Sequence, residues 1–139
     1  MNNFLYGELI QYRLAQSEET LKEAQLLLKA GHLRGAINRA YYAMFYAVQA
    51  LLLGKDLQTS KHTGALSLFD QEFVKTGEFD KNYSSWLHEL FDFRQEADYG
   101  PMVQISLEEA SQVLKNSETF VFKVKSYILG GDAKSLSGI

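Results

Sequence analysis

The sequence contains no cysteine, which excludes disulfides, thiolate metal sites and a cysteine nucleophile and fits a reducing compartment. It holds one proline, Pro101, and little alternation of β-branched with polar residues, so few positions oppose helix. Positive charge is not in excess. Fourteen lysines and arginines against 17 acidic residues give a net charge of −3, so no global field gathers nucleic acid. Any contact with RNA or a nucleotide must therefore rest on a few local cations. No HExxH or ExxH pair and no glycine-rich phosphate loop occurs, so neither a metal nor a cofactor is expected. Ser84 and Ser85 have no base at a recognisable spacing, which leaves a hydrolytic triad without support.

What is present is helical pattern. At 139 residues the chain makes one domain whose core needs no metal or cross-link. The opening MNNFLYGELIQYR lacks the basic start and long apolar stretch of a signal peptide, and a cytoplasmic location is expected. The apolar run 35–53 approaches the length of a membrane span, but Asn38, Arg39 and Gln49 interrupt it. A buried central helix is the better reading, and no membrane association is expected.

Five helices are predicted, in an all-α up-and-down bundle of four to five helices occupying residues 1–129, with 130–139 a disordered tail. They span about 8–30, ended by Gly31; 34–53, ended by Gly54; and 61–76, capped by Thr59 or Ser60 and closed by Gly77. A fourth spans about 80–98, and a fifth opens on the capping box Ser106-x-x-Glu109 and ends at Leu129. In the second helix Ala36, Ala40, Ala43, Ala47 and Ala50 form a seam that lets a neighbour approach closely. Ile37, Tyr41, Met44, Val48 and Leu51 form a second, larger stripe, so this helix is packed on at least two sides. In the fifth, Leu107, Ala110, Leu114, Ser117, Val121, Val124 and Ile128 form one core-facing stripe.

The second helix has a third stripe, Arg39, Tyr42, Tyr46, Gln49 and Leu53. An unpartnered buried arginine costs several kcal/mol, so an anion should meet Arg39. Either it pairs internally with Asp98 or Glu96, or this face lines a cleft that receives an anion from outside. Arg94 likewise projects from the apolar face of Leu87, Leu90 and Phe91, with Asp98 one turn on. His62 opens the third helix in line with Leu66, Phe69 and Phe73, either as a hydrogen-bonded core residue or, beside Lys61, as a phosphate ligand. The fourth helix carries Tyr83, Trp86, Leu90 and Phe93 on one stripe and Leu87, Phe91 and Arg94 on another. That is more apolar surface than one core needs, and a two-fold dimer is expected.

The stretches RGAINRAYYAMFYAVQALL, SKHTGALSLF and LFDFRQEADYG, in this order over about 34–99, resemble the HEPN domain (higher eukaryotes and prokaryotes nucleotide-binding), in particular its small stand-alone prokaryotic members. The resemblance implies a helical bundle that pairs as a homodimer, with a cleft where the fourth helices meet. It also implies a minimal nucleotidyltransferase partner in a toxin–antitoxin pair. In many members that cleft cuts RNA with an Arg-x4-6-His motif. Arg94 matches the arginine, but residues 99–101 read Tyr99, Gly100 and Pro101, and the histidine is missing, leaving an R-x3-D-Y variant. An aspartate paired with arginine is a poor base, so Asp98 and Tyr99 serve catalysis badly, and His62 could substitute only if it reaches the cleft. The expectation is a protein that binds a nucleotide or RNA phosphate through Arg39, Arg94, Lys61 and His62, with Tyr42, Tyr46 or Tyr99 stacking or hydrogen-bonding. The alternatives are a metal-independent ribonuclease toxin built on Arg94, Asp98 and Tyr99, and a helical interaction module without a ligand site.

Overall fold

Five helices form in the expected order: α1 (Asn3–Lys29), α2 (Leu33–Gly54), α3 (His62–Phe69), α4 (Lys81–Tyr99) and α5 (Leu107–Ser137). The computed structural model describes the backbone of residues 3–99 and 104–137 and the side chains of residues 7–95 and 104–130, with no strand among them. The helix boundaries follow chain-local chemistry where that chemistry is strong. Gly31, at φ +83°, ends α1 in a Schellman arrangement: the His32 N–H donates to the Leu27 carbonyl and the Gly31 N–H to that of Leu28. The capping box also forms, the Ser106 hydroxyl accepting from the Glu109 N–H at 3.0 Å and the Glu109 carboxylate from the Ser106 N–H at 3.2 Å.

Several boundaries differ from expectation. Gly54 is helical, and the left-handed residue that closes α2 is Asp56, at φ +61°, with the Leu57 N–H returning to the Leu52 carbonyl. The α3 cap is Lys61 rather than Thr59 or Ser60; the Thr59 hydroxyl accepts its N–H at 3.2 Å. α3 proper stops at Phe69 and gives way to a π-helical turn, Asp70–Val74, before Gly77 at φ +85° ends it. One bond beyond the α-helical spacing widens that turn, and α4 ties it down: the Ser84 hydroxyl and the His88 imidazole both meet Asp70, each at 2.7 Å. At the other end, α5 continues as helix past Leu129 to Ser137.

α2 is the centre of the bundle and touches each of the other helices. Its alanine seam is buried throughout, from Ala36 to Ala50, and so are Ile37, Tyr41, Met44, Val48 and Leu51. Two fully buried serines fix its neighbours: Ser17 of α1 donates to the Ala43 carbonyl at 2.6 Å, and Ser117 of α5 to that of Ala40 at 2.8 Å. Small residues let the backbones approach, and each hydroxyl finds a carbonyl that already serves its own helix. The α5 stripe is buried from Ala110 to Val124, but Leu107 is 60% exposed. The expected apolar excess on α4 is largely absorbed within the chain, Leu87 and Leu90 being buried and Tyr83, Trp86, Phe91 and Phe93 packing partly buried against the core. Among the described residues, the large exposed apolar side chains lie on α1 and α5. None of the described helices is long and apolar enough to cross a membrane.

Candidate functional site

The third stripe of α2 lies beside the buried one, so Arg39, Tyr42, Tyr46 and Gln49 are half-buried at the bundle edge, where α3 and α4 arrive, while Leu53 is buried. α4 brings Arg94, and α3 brings His62 as its first residue. Both arginines converge on Tyr42, the Arg39 guanidinium carbon lying 5.0 Å and that of Arg94 5.6 Å from its ring centroid. Arg94 also lies 5.2 Å from the Tyr41 ring and 5.8 Å from that of Phe91. These are cation–π distances, and the rings give both charges a rigid bed. Tyr46 follows Tyr42 along the helix, with ring centroids 5.9 Å apart.

Arg39 is answered from a direction that the sequence did not indicate. Its Nη1 lies 3.6 Å from a carboxylate oxygen of Glu23 on α1, and its Nε and Nη2 donate to the Asn38 amide oxygen at 3.2 and 3.0 Å. With the two side chains 33% and 50% exposed, the ion pair is a weak surface one. The side chains of Glu96, Asp98 and Tyr99 lie outside the described residues, so the expected Arg39–Asp98 pairing and the roles of Asp98 and Tyr99 do too.

His62 stacks on Phe45 with centroids 4.1 Å apart and planes 9° apart, and its Nδ1 is 2.7 Å from the Tyr41 hydroxyl. Tyr41 is fully buried, and its hydroxyl has no other partner among the described residues. Donation of its proton to Nδ1 satisfies the buried hydroxyl, which assigns to His62 the tautomer with hydrogen on Nε2. Burial, and secondarily the charge of Arg94, hold the His62 pKa below its ordinary value. Burial pushes that of Tyr41 well above the usual tyrosine range, partly offset by Arg94. The pair is therefore neutral at pH 7: His62 presents an N–H donor to the edge of the cluster and has no free basic nitrogen.

The structure thus gathers Arg39, Tyr42, Tyr46, His62 and Arg94 into one cluster. Lys61 is not in it, because the chain direction at the start of α3 sends consecutive residues to different sides; Lys61 lines a separate cavity with Arg13 and Gln49. Sequence reasoning missed Tyr41 and Phe45, which hold His62, and Glu23. Tyr41 reads as core from its spacing, and so it is, apart from the one oxygen that meets His62. No group of His, Asp and Glu among the described residues is arranged to hold a metal ion.

The HEPN domain family model matches residues 10–127, a span that contains the whole cluster. A UPF0332 protein of Thermotoga maritima is 40% identical over 121 residues, covering 87% of this chain and 92% of its own length. Two proteins of Methanocaldococcus jannaschii, each named as a putative toxin, are also similar. One is 35% identical over 124 residues, 89% of this chain and 84% of the relative. The other is 35% identical over 118 residues, 85% of this chain and 87% of the relative.

Proposed function

Because the chain belongs to the HEPN domain family, we propose that it is a toxin-type HEPN protein that binds the phosphate of a nucleotide or of RNA on the Arg39–Tyr42–Arg94 face. The observation that carries this reading is the convergence of two guanidiniums on one tyrosine ring. Both guanidiniums lie at cation–π distance from this ring, and guanidinium groups bind phosphate through bidentate charge-assisted bonds. The only described carboxylate at Arg39 is the half-exposed Glu23, which an incoming phosphate can displace at small cost. Tyr46, beside Tyr42, offers a ring face to a base, and the His62 Nε2–H adds a neutral donor.

The toxin-type role rests on the names of the two relatives from M. jannaschii. The HEPN resemblance alone adds a homodimer joined along α4, a nucleotidyltransferase-family protein as the antitoxin-like partner, and a cytoplasmic location to this proposal. Ribonuclease activity is the second reading, and it comes from the HEPN resemblance of the sequence. It must do without His62 as a base, since Nδ1 already accepts from Tyr41 and Nε2 carries hydrogen.

Fluorescence anisotropy with a labelled oligoribonucleotide and with ATP tests the proposal. Saturable binding is expected to weaken with salt, by a slope of roughly 0.7 per phosphate contact for a single strand. Arg39→Ala and Arg94→Ala should each lose affinity by about 1.5–3 kcal/mol. Binding that ignores both substitutions would end the phosphate reading, and metal-free cleavage of the oligonucleotide would establish the ribonuclease.

A further inference from the structure

A cavity of about 520 Å³ lies between the N-terminal half of α1, the last turns of α2 and the 57–61 connection. It is separate from the arginine cluster: along α2 its Gln49 stands seven residues beyond Tyr42, roughly 10 Å at the helical rise. The volume suits a small organic molecule. The lining is divided. Leu52, Leu53 and Leu57 form an aliphatic floor, whereas Arg13 and Lys61 stand with the Thr59 and Ser60 hydroxyls on the polar side, and none of the described carboxylates contributes.

Three polar groups there have unused capacity. The Lys61 ammonium makes no hydrogen bond or ion pair among the described residues. Arg13 places Nη1 on the Gln16 amide oxygen at 2.7 Å, which leaves the rest of its fork open. Gln49 has a buried amide oxygen without a hydrogen-bond partner among the described residues. The polar rim is also held in place: Thr59 accepts the Lys61 N–H, and a Cβ on Gly64 would come within 3.0 Å of the Thr59 oxygen, so α3 packs directly on that turn.

We infer that this cavity is a second ligand site, for a small amphipathic organic anion whose aliphatic body lies on the leucines and whose anionic head meets Arg13 and Lys61. Two cations without a carboxylate select the sign of the head. The floor selects the body: among the described residues it is aliphatic, and an alkyl chain buries apolar area against three leucines. This site does not rest on the phosphate reading of the Arg39–Arg94 cluster.

The test uses octanoate and octylammonium as probes, titrated to millimolar concentration into the full chain and followed by amide chemical shifts. Octanoate should give saturable shifts at Gln49, Leu53 and residues 57–61, and octylammonium should not. Lys61→Glu, at an exposed position, should weaken octanoate roughly tenfold or more, the equivalent of about 1.4 kcal/mol. Leu57→Trp, in the half-buried connection, should fill the cavity and abolish the shifts while leaving the helical circular dichroism intact. Absence of saturable shifts with octanoate overturns the inference. Equal binding of octylammonium, or shifts centred on Arg39 and Arg94, overturns it as well. Should Leu57→Trp fail to fold, Lys61→Glu and the choice between the two probes decide the matter.

Discussion

Replacing Tyr41 with phenylalanine removes one oxygen from a fully buried ring and tests how His62 is held. The ring contacts to Phe45, His62, Phe91 and Arg94 survive, so no cavity opens and the loss is confined to the 2.7 Å hydrogen bond. That bond is neutral, and its His62 end is partly exposed to water, so its net contribution is about 0.5–1.5 kcal/mol. In urea the midpoint should fall with an unchanged slope, and the melting temperature should drop by roughly 2–6 °C. The second readout is the imidazole itself. In the wild-type protein, long-range proton–nitrogen spectra should show His62 neutral at pH 7 with hydrogen on Nε2, and Tyr41→Phe should relax that preference. A wild-type His62 with hydrogen on Nδ1, or one already charged at pH 7, would refute the assignment. A stability loss above about 3 kcal/mol would show that the hydroxyl holds something more than this bond.

The depressed pKa of His62 has its own signature. Below its unfolded value of 6.5, the unfolded chain binds a proton that the folded chain resists. Stability from this group is therefore present above pH 6.5 and lost as pH falls through that value toward the folded one; His62→Gln should flatten this part of the profile in chemical denaturation. Arg39→Ala should cost only about 0.2–1 kcal/mol, because its partner Glu23 is half exposed; a loss of 3 kcal/mol or more, measured in urea, would mean a buried carboxylate had been stranded. Asp56→Gly should be neutral or stabilise slightly at the left-handed end of α2, whereas Asp56→Val should destabilise by about 1–3 kcal/mol, read as a shift in melting temperature. Light scattering at micromolar concentration should show a dimer, and a monomeric mass would remove the α4 pairing from the proposal.

The elements that the sequence determined alone are those whose cause is local. Gly31 and Gly77 stop helices because their backbone must turn left-handed, and Ser106 and Glu109 cap α5 by reaching one another across three residues. The seam from Ala36 to Ala50 declares a close approach before any partner is known, and spacing alone puts Arg39, Tyr42 and Tyr46 on one face. Periodicity gives a face, however, and not what stands opposite. That depends on the rotation and axial offset of the neighbouring helix, which many separate side chains fix together. Packing α1 against α2 decided that Glu23 stands at Arg39. The crossing of α3 decided that His62 meets the one polar atom of a core tyrosine while Lys61, its neighbour, faces a different cavity. Five residues widen into a π-turn where Asp70 meets Ser84 and His88, because pairing across the bundle outweighs residue preferences worth about 1 kcal/mol.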